Sequence, residues 1–95
     1  MSSKKNAKLI VLMTGVYLIA ELEEVATELG EPDCKLVEPY VVQQYKNGSD
    51  SATFTFTPWL LDVTTQNEMM ISSDKILTIV APSTKIITAY EKLFD

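Results

Sequence analysis

Carboxylates are the most numerous side chains in this sequence that could take part in acid–base chemistry. Glu21, Glu23 and Glu24 lie close together. Hydrolysis by paired carboxylates needs two such groups that face each other across a cleft. Glutamates at this spacing on one strand are more simply explained as its solvated face. The sequence contains no histidine that could act as a base and no glycine-rich phosphate loop. We therefore predict that the protein is not an enzyme.

Cys34 is the single cysteine, so an intrachain disulfide is excluded. Without histidine a zinc cluster is not credible, and no neighbouring base is visible that would activate the thiol. A small reduced residue in the core or at an interface is favoured over a reactive thiol. We predict no metal and no cofactor.

The charged residues narrow the classes of partner. Thirteen acidic residues face eight basic ones, all lysine, and the net charge is −5. Arginine is the preferred reader of guanine edges and the bidentate binder of phosphate, so its absence argues against tight binding of nucleic acid. An anionic membrane surface is also disfavoured, because such binding needs clustered positive charge.

The N-terminal region allows two interpretations. Lysines followed by the apolar residues 9–20 resemble a secretory signal. However, Thr14 and Gly15 interrupt the run, no small-residue cleavage site follows it, and it is too short to span a bilayer. We favour a β-hairpin in a cytoplasmic protein, preceded by a flexible N-terminus at residues 1–7.

Gly15 separates two strongly β-prone runs, residues 9–14 and 16–22. This arrangement predicts a tight antiparallel turn, with positive φ at the glycine. In the second strand Leu18 and Ala20 share one face with Val16 and Leu22, and the opposite face changes from apolar to acidic along the strand.

The middle of the chain predicts two further strands. Residues 26–33 read as a loop, and a third strand follows at residues 34–45, in which Pro39 indicates an edge position or a bulge. Residues 46–51 form a turn signal that contains Asn47 and Gly48. The fourth strand begins with strict alternation, which changes phase after Pro58 and so predicts a bend there.

The end of the chain predicts a short strand and a helix. Residues 64–68 read as a loop, residues 69–71 stay unassigned, and residues 76–80 form the fifth strand. From residue 83 to residue 94 the apolar residues recur at helical spacing, and Ser83 or Thr84 can cap the helix. A helix this short must dock on the sheet or on a neighbouring subunit.

The predicted fold is mainly β: one domain over residues 1–95, with a strongly bent five-stranded sheet and a C-terminal helix. The stretch GVYLIAEL, which begins at Gly15, resembles the first signature of Sm-like (LSm and Hfq-type) proteins. The second half is similar to small Sm-like proteins of tailed bacteriophages in the order of Pro58, Trp59, Ile76, Leu77, Pro82 and Tyr90. The resemblance implies an SH3-type barrel and, for a phage protein, a location in the host cytoplasm.

Departures from the Sm-like pattern concern the RNA site. In that family a helix precedes the first strand, but here the predicted helix is C-terminal. The Asp and Asn positions of the uridine pocket are not recognisable after Leu22, and the Arg-Gly or Lys-His element is missing. The scaffold positions are therefore better preserved than the RNA-binding ones.

The resemblance also implies a homo-oligomeric ring of about five to seven subunits, in which strand edges pair. Such pairing would satisfy the unpaired edges of an open sheet. Candidate interface residues are Tyr17, Ile19, Trp59 and Leu61. The alternative is that the C-terminal helix covers these residues within a monomer.

Two functions remain open. The first is an Sm-like ring that binds single-stranded RNA and acts in RNA metabolism or regulation. Its candidate binding residues are Lys35, Tyr40, Gln66, Asn67 and Lys75. The second is a non-catalytic homo-oligomeric scaffold that binds protein partners and not nucleic acid, which the lack of arginine favours.

Overall fold

The computed structural model describes residues 7–46 and 52–94. The elements within these residues are, in chain order, β1 (Ala7–Leu12), β2 (Tyr17–Glu24), β3 (Cys34–Lys46), β4 (Ala52–Pro58), β5 (Glu68–Ile71), a 3₁₀ helix (Ser73–Lys75), β6 (Ile76–Val80) and α1 (Thr84–Lys92). The prediction of a mainly β protein with a C-terminal helix is confirmed. Of the predicted turn at residues 46–51, Lys46 belongs to β3, and residues 47–51 lie outside the described residues.

The strands form one open antiparallel sheet in the order β4-β3-β2-β1-β6, and β5 pairs with the first part of β3. The described residues thus contain six strands, and the expected number of five is wrong. The additional strand is formed by residues 68–71. Residues 69–71 were left unassigned by the sequence, and residue 68 was predicted to end the preceding loop. Residues 68–71 pair with residues 34–37 of β3 and do not extend β6.

The turn between β1 and β2 has the predicted conformation. Gly15 has φ +89°, its amide donates to the Leu12 carbonyl at 2.8 Å, and the Leu12 amide donates to Val16 at 2.9 Å. Strand β1 begins at Ala7, which is buried, so the predicted flexible segment extends one residue too far. The rest of that segment lies outside the described residues.

Replacing Gly15 with valine tests this turn. Beyond the adjacent residues, no atom lies within 4 Å of the position that a Cβ would take here, so the cost comes from the left-handed backbone and not from a clash. We expect the free energy of unfolding to fall by about 1–2 kcal/mol. Thermal denaturation followed by circular dichroism measures this loss. Thr14→Val, in the same turn but without positive φ, is the control, and an unchanged melting temperature for Gly15→Val would contradict the assignment.

Pro39 lies in a β-bulge, as one of the two predicted alternatives requires. Between β2 and β3 the pairing passes from Glu21 opposite Val37 to Ile19 opposite Tyr40, so β3 contains one extra residue. Glu38, at the bulge, has φ +54°. Beyond the bulge the outer neighbour of β3 changes from β5 to β4.

The predicted bend of the fourth strand at Pro58 is wrong, because β4 ends at this residue. The next residues form turns, in which Leu60 has φ +62° and Asp62 has φ +64°. Positive φ is incompatible with an extended strand. The change of phase after Pro58 therefore marks the end of a strand and the start of a loop, residues 59–67, that leads to β5.

Apolar side chains cover both faces of the sheet. One face carries a core of Ile10, Leu12, Leu18, Ala20 and Leu36. The other face packs against α1. The buried residues at this contact are Ala7, Ile19 and Val42 from the sheet and Ile86 and Tyr90 from the helix. The predicted helical stripe thus docks on the sheet of its own chain, and the Ser83 hydroxyl caps the helix by accepting from the Ile86 amide at 3.3 Å.

Candidate functional site

Three of the five residues predicted to bind nucleic acid lie together. Tyr40, Gln66 and Asn67 line one cavity of about 180 Å³ between the β3 bulge and the loop 59–67, and Trp59 and Leu61 also line it. We call this space the bulge cavity. The sequence did not predict that Trp59 and Leu61 would share a site with the other three residues, because the two sets were assigned to different roles.

Hydrogen bonds fasten the walls of the bulge cavity to each other. The Glu38 amide donates to the Asn67 carbonyl at 2.7 Å, and the Asn67 side-chain amide donates to Glu38 Oε1 at 3.0 Å. The Trp59 amide donates to the Pro39 carbonyl at 2.9 Å. Gln66 donates through Nε2 to the Glu68 carbonyl at 2.9 Å. The loop 59–67 is therefore held against the bulge by both backbone and side-chain groups.

Tyr40 belongs to an aromatic cluster with α1. Its ring packs edge-to-face with Tyr90 and Phe94, at centroid distances of 6.0 and 5.8 Å. Burial, followed by the negative charge of Glu38, raises the pKa of the Tyr40 hydroxyl. Tyr40 is thus both a packed strand residue and a wall of the cavity.

Tyr90 of α1 contacts the bulge from the helix side of the sheet. Its side chain is fully buried, and its hydroxyl donates to the Glu38 carbonyl at 2.7 Å. Burial, followed by the negative charges of Glu21 and Glu38, raises the pKa of Tyr90 well above its usual range. The helical spacing identified Tyr90 as an apolar position, but no sequence signal indicated what its hydroxyl would bind.

The two lysines predicted to bind nucleic acid do not line the bulge cavity. Lys35 Nζ lies 3.2 Å from Glu23 and 3.2 Å from Glu68, on the strands that flank β3. Hydrogen bonds with Glu68 and then Glu23 raise the pKa of Lys35. Lys75 is exposed at the end of the 3₁₀ helix. The positive charges of the predicted set are therefore separated from its aromatic and amide groups.

The four predicted interface residues occupy different environments. Tyr17 and Leu61 are exposed, Trp59 is half-buried against the core of the first face, and Ile19 is fully buried under α1. The C-terminal helix therefore covers the Ile19 side chain within one chain, which is what the alternative to an interface role predicted for this residue. The strand predicted at residues 76–80 is confirmed as β6. None of its residues was among the interface candidates, although Leu77 is 63% exposed and Ile79 and Val80 are each 44% exposed.

The acidic and thiol groups were also considered in the sequence as sites of metal binding or reactivity. Within residues 7–46 and 52–94, no three His, Cys, Asp or Glu side chains are grouped so that they could hold a metal ion. Cys34 is buried, and its burial together with the charges of Asp33 and Glu24 raises the pKa of the thiol. A raised pKa keeps the thiol protonated and unreactive near neutral pH.

Asp33 joins the loop before β3 to the 3₁₀ helix. Its carboxylate accepts from the Ser73 amide and from the Ser73 hydroxyl, both at 2.7 Å. These bonds lower the pKa of Asp33. Since the ionised form is favoured in the folded state, this contribution to stability is present above the unfolded pKa of about 3.9 and is lost as the pH falls through the folded pKa.

The Asp33→Asn variant should therefore show a weaker loss of stability on acidification. Urea denaturation between neutral pH and pH ~2 measures this, and the slope of stability against pH near the unfolded pKa should be shallower in the variant. The control is Glu31→Asn, which removes a carboxylate from an exposed position in the same loop and leaves Asp33 and Ser73 in place. Equal slopes for wild type and Asp33→Asn would contradict the assignment.

A larger apolar groove of about 600 Å³ lies on the helix side of the sheet, where its lining includes Leu9, Tyr17, Phe54 and Ile86. Its described lining residues include no carboxylate, lysine or thiol. Its composition suits apolar contact. No helix among the described residues is long and apolar enough to cross a bilayer.

The fold and the site define a small β-rich domain with an open antiparallel sheet, a C-terminal helix docked on one face, and a polar and aromatic cavity at a strand bulge. Residues 5–95 match DUF6561, described as a family of unknown function, and the chain belongs to this family. A comparison with curated proteins finds no match.

Proposed function

We propose that this protein is a non-catalytic homo-oligomeric scaffold, which assembles through the outer strands of its sheet and binds protein partners. The observation that carries the proposal is that β6 is an outer strand with exposed apolar side chains. This strand pairs with β1 alone among the described strands, and Leu77, Ile79 and Val80 are exposed along it. An apolar edge strand is a template for pairing with another chain.

The other end of the sheet offers a matching surface. Strand β4 pairs with β3 alone among the described strands, so β4 of one subunit is available to β6 of the next. Such a head-to-tail contact is heterologous, and it forms a ring when the rotation between subunits closes. The two outer strands therefore support assembly into a ring, and its size of about five to seven subunits is taken from the Sm-like resemblance.

Charge favours protein partners over RNA. The net charge is −5, the chain has no arginine, and Lys35 is paired with two carboxylates. Neutralisation of phosphates by lysine and arginine supplies most of the affinity of non-specific nucleic-acid binding. The net negative charge of the chain therefore repels the phosphates of a nucleic acid.

An Sm-like RNA-binding ring is the second candidate, and one observation favours it. Tyr40, Gln66 and Asn67 line the same cavity, so an aromatic ring and two amides are available to a base. In this proposal the subunits of the ring would present the cavities to successive nucleotides. The described residues that line the cavity include no lysine, which is why we rank this function below the scaffold.

Two measurements test these proposals. Size exclusion with light scattering should report a homo-oligomer, and a monomer at all concentrations would refute the scaffold. Fluorescence anisotropy with oligo(U) and oligo(A), at low and at moderate salt, separates the two functions. Absence of binding even at low salt supports the scaffold, whereas saturable binding to the wild-type protein that weakens with salt supports the RNA-binding ring.

A further inference from the structure

We infer that the bulge cavity binds an arginine side chain presented by a different protein. The argument depends on the groups that line the cavity, on how firmly they are held, and on the size of the space. It deepens the proposed role in binding protein partners. It does not require assembly, because every wall of the cavity belongs to one chain.

The lining selects a cation. Among the described residues that line the cavity, Glu38 is the one that carries a charge. Its carboxylate offers about four acceptor positions, of which the bond from Asn67 uses one. The net charge of −5 adds a favourable field for a positive ligand. An anionic ligand would meet the Glu38 carboxylate without a compensating cation.

The aromatic walls favour a guanidinium over an ammonium group. Tyr40 and Trp59 both line the cavity. A planar guanidinium stacks on aromatic faces and binds a carboxylate through two parallel hydrogen bonds, whereas an ammonium group acts as a compact, strongly hydrated charge. Leu61, which is exposed at the cavity, is suited to contact with the methylene stem of the same side chain.

The cavity is preorganised by the backbone conformation and the hydrogen bonds of its walls. Three non-glycine residues in the described part of the chain have positive φ, and all belong to the bulge or to the adjoining loop: Glu38, Leu60 and Asp62. Such conformations cost free energy and cluster at functional sites. The hydrogen bonds among Glu38, Asn67, Trp59 and Pro39 hold them in place. A preformed site avoids the cost of ordering these groups on binding.

The size and the composition together identify the kind of partner. A space of about 180 Å³ corresponds to about six water molecules, which suits one side chain and excludes a helix or a strand. The protein itself contains no arginine. A second copy of this chain therefore cannot supply the ligand, and the arginine must come from a different polypeptide.

Trp59 is the single tryptophan, so its fluorescence reports on this cavity. The probe is a blocked arginine, N-acetyl-arginine-N-methylamide, and the blocked citrulline derivative is its neutral isostere. The full-length protein should show a saturable fluorescence change with arginine and none with citrulline. Glu38→Gln, which keeps an acceptor for Asn67, should weaken arginine binding by about tenfold or more. Glu28→Gln, which removes the same charge from an exposed loop position, should leave binding unchanged.

Several outcomes would overturn the inference. They are the absence of a saturable change at millimolar arginine, equal binding of citrulline or of a blocked lysine, equal weakening by Glu28→Gln, and a response to uridine monophosphate in place of arginine. The measurement is made on wild-type protein whether it is monomeric or oligomeric. Failure of the arginine site is thus distinguishable from failure of the proposed assembly, which light scattering tests separately.

Discussion

Replacing Tyr90 with alanine is expected to lower the free energy of unfolding by about 3–5 kcal/mol, the range for truncation of a buried aromatic side chain. Tyr90 is fully buried between α1 and the sheet, and its ring contacts Tyr40 and Phe94 edge-to-face. Its loss would create a cavity beneath the bulge. Urea denaturation followed by circular dichroism measures the change.

Tyr90→Phe separates the hydroxyl from the ring. This variant keeps the packing but removes the donor to the Glu38 carbonyl. We expect a loss of about 1–3 kcal/mol, because a buried acceptor is left without its partner. Tyr17→Phe makes the same chemical change at an exposed position and should have little effect. Equal stability of Tyr90→Phe and wild type would contradict the role of the hydroxyl at the bulge.

Alkaline pH provides a second measurement on the same residue. The folded state raises the pKa of Tyr90, so it binds the phenolic proton more tightly than the unfolded chain does. The stability that this contributes is complete below the unfolded pKa of about 10 and is lost as the pH rises above it. Wild type should lose stability above this pH more steeply than Tyr90→Phe. Tyr40, Lys35 and Cys34, whose pKa values are also raised, are present in both proteins, so the difference between the two curves reports on Tyr90.

The features that the sequence predicted are those with local causes. The turn at Gly15 depends on one residue with positive φ, and α1 depends on helical spacing with a cap at Ser83. The bulge at Pro39 follows from the missing amide of proline. In each case the physical requirement lies within a few residues of the chain. At Pro39 the pattern left an edge position and a bulge open, and the structure decides for the bulge.

The features that the sequence did not predict depend on contacts between distant segments. Strand β5 exists because residues 68–71 pair with residues 34–37, and a four-residue run has no periodicity that reveals such a partner. Ile19 was assigned to an interface because the predicted apolar surface exceeded what one small subunit could cover. Only the docked helix shows that the side chain of Ile19 is buried within the chain. The bulge cavity combines residues 38–40 with residues 58–69. No local signal joins these two segments.

Leu77→Lys is expected to shift the proposed oligomer towards monomer. Burying an exposed leucine contributes about 1.5–3 kcal/mol, so its replacement should weaken each contact between subunits by at least about tenfold. A lysine on an edge strand also opposes pairing by placing a charge at the junction. Since Leu77 is 63% exposed in the single chain, the substitution should leave the stability of the fold nearly unchanged.

The control for this variant is Leu29→Lys, which introduces the same charge at a fully exposed position in the loop between β2 and β3. Light scattering over a dilution series should show dissociation of Leu77→Lys at concentrations where wild type and Leu29→Lys remain assembled. Equal dissociation of both variants would attribute the effect to net charge and not to β6. An oligomer that resists Leu77→Lys would place the subunit contact elsewhere and remove β6 as the basis of assembly.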